Sequence, residues 1–67
     1  MNLFLEKYTI HVKDTGSKKP FKMTIDENHP QDAHQKAYNK LNNHQEIVKI
    51  MDYTGNTVFT SDVGFVN

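Results

Sequence analysis

Only one stretch of this chain spaces its apolar residues as a helix does, and strand-like stretches flank it on both sides. In "HPQDAHQKAYNKL", Ala33, Ala37 and Leu41 fall at i, i+4 and i+8, and Tyr38 broadens the stripe. His34, Lys36, Lys40 and Asn43 lie at its edges or outside it. Pro30 suits the first helical position, with Asn28 or His29 before it as cap and Asp32 in the positive first turn. The asparagines of "LNNHQ" end the helix, since asparagine tolerates the left-handed C-terminal conformation. The expected span is 30–43. Small alanines let such a helix lie close to a sheet, with Leu41 and Tyr38 as anchors. One helix can cover one sheet face and no more.

The flanking stretches alternate. In "FLEKYTIHVK", Phe4, Tyr8, Ile10 and Val12 share one face, and Lys7, Thr9, His11 and Lys13 the other. "DTGSKK" supplies turn chemistry, and "PFKMTIDE" then places Phe21, Met23 and Ile25 inward, with Pro20 at the strand start. These two segments predict a hairpin from Phe4 to Ile25. After the helix, "EIVKIMDY" is apolar on both parities, with Val48 and Ile50 on one face and Ile47 and Met51 on the other. "TGN" turns the chain into a short strand, "TVFTS", so that a second hairpin spans 46–60. The expected architecture is α+β, ββαββ: one helix packed on one face of a four-stranded antiparallel sheet. Residues 1–67 form a single domain, with 61–67 as a short edge segment or tail.

Size limits what such a domain can enclose. At 67 residues with no cysteine, the core must come from apolar packing, and disulfides, thiolate zinc sites and thiol nucleophiles are excluded. Deep pockets are not expected. Eight lysines balance eight acids and arginine is absent, so no global field attracts a polyanion and the usual reader of guanine and phosphate is missing. No apolar run approaches the ~18 residues that span a bilayer. The start, "MNLFLEKYTIHVK", lacks a basic region and a small-residue cleavage site. The expected location is the cytoplasm, with no membrane association.

The four histidines do not have ligand spacing. His29 and His34 are five apart, whereas a helical pair wants three or four. His44 is ten residues beyond His34, and His11 lies on a strand. They are expected as solvated side chains, with no metal and no cofactor. Asp26, Glu27 and Asp32 gather near the strand–helix junction, where helix electrostatics account for acids. Ser17 and Ser61 sit in turns without an oxyanion motif, and Gly16, Gly55 and Gly64 are isolated, so no phosphate-cradling loop exists. Catalysis is not expected. Lys13, Lys18, Lys19 and Lys22 form the one basic cluster: a hairpin tip whose lysines discourage edge pairing, or a contact for a polyanion.

The spans "FKMTIDENHPQDAHQKAYNKL" and "EIVKIMDYTGNTVF" resemble a pattern of small phage and mobile-element proteins. A strand ends in acids, a proline-started helix carries paired alanines, and a V-K-I-x-D-x-x-G-N-x-V hairpin follows. Several small anti-CRISPR proteins share this plan. The resemblance implies a compact, non-enzymatic protein that binds and blocks a host protein or ribonucleoprotein complex in the host cytoplasm. It assigns no site residues, and the lysine-rich, arginine-free composition departs from DNA mimics that work through acidic surfaces. Two alternatives stand beside it: a nucleic-acid-binding module using the lysine-rich first turn, and a homo-oligomeric accessory protein, in its simplest form a homodimer. The third strand supplies the expected partner contact. With apolar groups on both parities, Ile47 and Met51, joined by Phe59, are expected on the face away from the helix. Otherwise Phe65 and Val66 of the tail fold back over that face.

Overall fold

The computed structural model describes residues 5–16 and 19–66; Phe4, Ser17 and Lys18 lie outside them. Strand β1 (Glu6–Asp14) pairs antiparallel with β2 (Phe21–Glu27), Tyr8 opposite Ile25, Ile10 opposite Met23 and Val12 opposite Phe21. Helix α1 (Pro30–Lys40) follows, then β3 (Gln45–Met51), β4 (Thr57–Thr60) and β5 (Gly64–Phe65). The protein is α+β, and its described residues form one helix and an antiparallel sheet of five strands in the order β2-β1-β3-β4-β5. The predicted four strands are therefore one too few. Gly64 takes a φ of 84°, which lets the chain reverse after Thr60 and set Phe65 opposite Phe59.

The strand order places the helix. Both β2 and β3 run antiparallel to β1, so they are parallel to each other and need a crossover connection. Helix α1 makes it, passing over β1 and touching β2, β1 and β3. Ala33 and Ala37, both fully buried, bring its backbone close to the sheet. Beneath them lie Tyr8, Ile10, Val12, Ile25, Ile47 and Ile50. Tyr38 is not an anchor: one residue beyond Ala37 it has turned by about 100° of helix, and it is 63% exposed. Phe21 shares the inward face but sits at the strand end nearest the turn, and keeps 37% exposure.

A register shift resolves the double parity of β3. His11 pairs with Lys49 but Val12 pairs with Ile47, so Val48 is an extra residue bulged out of the ladder. One extra residue inverts the alternation. Ile47 and Ile50, three apart, thus both enter the core, at 6% and 0% exposure. A second shift lies between β3 and β4, where Ile50 faces Phe59 and Met51 faces Thr57.

The helix ends earlier than 43 and by another route. Leu41 is extended (φ −94°, ψ 156°), its N–H donating to the Tyr38 carbonyl. No described residue other than glycine has a positive φ, so no asparagine takes the left-handed cap. Instead Asn42 closes the loop locally: its side-chain oxygen accepts from the His44 N–H at 2.8 Å, and its own N–H donates to Gln45 Oε1 at 3.1 Å. His29 is the N-cap residue, without a side-chain capping bond.

Candidate functional site

The two bulges decide what the face opposite the helix displays. Ile47 and Phe59, expected there, point the other way: Ile47 is buried in the core, and Phe59 lies opposite Ile50 and packs against the core from the helix side. Of the three expected partner contacts only Met51 stays on the open face, half-buried between Thr9 and Thr57. Nor does the tail cover this face. Phe65 sits 4.9 Å from the Phe59 ring and 5.6 Å from that of His34, on the helix side.

What remains is a polar, lysine-bearing surface. The register puts Lys7 beside Asp26, Thr9 beside Thr24 and Met51, His11 between Lys22 and Lys49, and Lys13 beside Glu46. Directly opposite residues share a face, so these side chains lie together. Four lysines against two carboxylates leave an excess of two positive charges here. Because the whole chain is neutral, the rest of the molecule carries the opposite excess.

A shallow, open hollow of about 390 Å³ lies near the first turn. Val12, Pro20, Phe21 and Val48 supply its apolar lining, and His11, Lys22 and Lys49 its basic groups. Burial pushes the His11 imidazole below its ordinary range, and Lys49 and Lys22 push it further in the same direction. A neutral imidazole between two ammonium groups can accept or donate a hydrogen bond, while the lysines carry the charge.

The predicted lysine cluster is thus divided. Lys22 lines the hollow, and Lys19 lies exposed just before it. Lys13 reaches Glu46 at 3.6 Å, an exposed pair of little energetic weight. Lys49 was not among the expected contacts, although it lies in a run of apolar residues, where a lysine marks the solvent-facing parity. Val48 went unmarked because nothing in the apolar pattern shows a bulge.

His34 also departs from expectation. It is half-buried rather than solvated, stacked on Tyr38 with ring centroids 6.3 Å apart and tilted against Phe59 at 4.7 Å. Burial pushes its pKa down. The acids at the strand–helix junction separate: Asp26 is on the open face, and Glu27 holds Lys36 at 3.0 Å. Asp52 organises the second turn, its carboxylate accepting from the Thr54 hydroxyl at 2.6 Å and from the Thr54 and Asn56 N–H groups. These bonds, the hydroxyl first, hold its pKa below the usual carboxylate value.

Among the described residues, no group of three or more His, Asp or Glu side chains could hold a metal ion, and no helix is long and apolar enough to cross a membrane. In comparisons with known proteins, no family model, no curated protein and no solved structure matches this chain.

Proposed function

We propose that this chain is a small non-catalytic binding protein, encoded by a phage or mobile element, that blocks an acidic surface of a host macromolecule with the open face of its sheet. The observation that carries this reading is the segregation of charge: a neutral chain with a lysine excess on the one broad face its helix leaves uncovered. The hollow beside Pro20 and Val48 offers an apolar anchor point inside the basic field, as an interface needs both. A host protein is favoured over nucleic acid because arginine, the bidentate reader of phosphate and guanine, is absent. The nucleic-acid reading draws on Lys22 and Lys49 flanking His11 on either side of β1, where they would grip phosphates.

The test is capture from nuclease-treated bacterial lysate on the immobilised chain, beside the Lys22→Glu/Lys49→Glu variant. The expected result is a protein retained by the parent and lost by the variant, with capture weakening as salt rises. Retention seen only in a parallel lysate left without nuclease would overturn the protein reading in favour of nucleic acid. Equal retention by both chains would place the contact elsewhere and overturn the proposal.

A further inference from the structure

Strand β2 is one edge of the sheet, and it runs for seven residues, against two for β5 at the other edge. Among the described residues nothing pairs with its outer side, and a strand of that length with a free side is a template for another strand. We infer that the β2 edge pairs with the β2 edge of a second copy of this chain, making a two-fold dimer with a continuous ten-stranded sheet.

The strand "FKMTIDE" is self-complementary when it meets itself antiparallel about Thr24. Lys22 then lies opposite Asp26 of the second copy, and Asp26 opposite its Lys22, so two opposite-charge pairs form on the open face. Met23 meets Ile25 twice on the helix side, and Thr24 meets Thr24 on the axis. Only this register overlaps all seven residues, because Thr24 is the middle one. Shifting the axis to Met23 would set Asp26 opposite Pro20, which has no N–H to donate. Shifting it to Ile25 would lose the lysine–aspartate pairing. Thus full overlap and charge complementarity select the same register.

The geometry is consistent on other counts. Opposite residues in this register share a face, so both helices lie on one side and both lysine-bearing faces on the other. The two contacts are the same patch used twice, as a two-fold axis requires. Within its own chain Lys22 stands across from His11, a neighbour whose protonation it disfavours. Across the edge it would find a carboxylate. A lysine on an edge strand repels most other edges, but here it would select this one. The terminal pairs set Phe21 against Glu27, whose carboxylate Lys36 already holds.

Sedimentation velocity without any ligand tests this, and it does not depend on the proposed partner. The parent is expected as a monomer–dimer equilibrium. Lys22→Glu brings two carboxylates face to face across the edge, and Asp26→Lys brings two ammonium groups face to face. Each variant alone should therefore associate at least about tenfold more weakly. Mixed in equal amounts the two become complementary again, and the dimer should return as a heterodimer. Circular dichroism checks that both variants keep the parent fold. A parent that stays monomeric at millimolar concentration would overturn the inference. So would a dimer that survives in either variant alone, or a folded mixture that fails to associate.

Discussion

The half-buried His34 ties the stability of the fold to pH. Its imidazole is packed among Tyr38, Phe59 and Phe65, and burial disfavours the charged form. In the unfolded chain a histidine takes its proton near pH ~6.5, so below that pH the unfolded state binds more protons than the folded state. Stability therefore falls as pH drops from ~6.5 towards the lowered folded value, and no further once both states are protonated. His11 acts in the same direction, through burial and then through Lys49 and Lys22. Asp52 contributes above its unfolded value and loses that contribution only at more acidic pH, so it does not confuse the window. Urea unfolding at about pH 7.5 and about pH 5, on either side of the ordinary histidine value, should show the parent weakened at the lower pH. His34→Phe, which keeps an aromatic ring in the cluster, should remove part of that drop. An unchanged drop in this variant would show that the cluster does not control the proton. None of this was visible in the spacing of the histidines. It depends on Phe65 arriving from a fifth strand, the edge segment that the sequence pattern leaves as one of two readings of 61–67, and on its register against Phe59.

At the scale of elements, strand and helix positions were legible because the apolar period changes from two to 3.6 and back. Tyr8, Ile10, Val12 and Ile25 are inward as their alternation says, and Ala33 and Ala37 face the sheet as their spacing says. Strand β3 was legible only in part. Its apolar residues on both parities implied cover on both sides, whereas the bulge at Val48 turns Ile47 and Ile50 to one side. A bulge is set by the backbone ladder between two strands, and the side-chain pattern of one strand does not encode it. Two substitutions separate these pictures. Ile47→Glu forces an unpaired charge beneath the helix and should unfold the domain. Met51→Glu, among threonines on the open face, should cost about 1 kcal/mol or less in a urea titration. Equal costs at the two positions would mean that the bulge is misplaced.

At the scale of the whole molecule, the open face was foreseen as uncovered but its character was not. An apolar patch centred on Ile47, Met51 and Phe59 gives way to Lys7, Lys13, Lys22 and Lys49 with threonines between them. Each position's parity follows from the register of three strands, and the register includes the bulge. Total charge was readable from composition; its separation onto one face required the fold. The direct measurement is an amide-resolved NMR titration with poly-L-glutamate as a surrogate for an acidic protein surface. Thr9, His11, Lys22, Thr24, Val48 and Lys49 should shift progressively, the shifts should diminish with added salt, and α1 should stay unperturbed. Shifts confined to α1, or none at all, would contradict binding through the open sheet face.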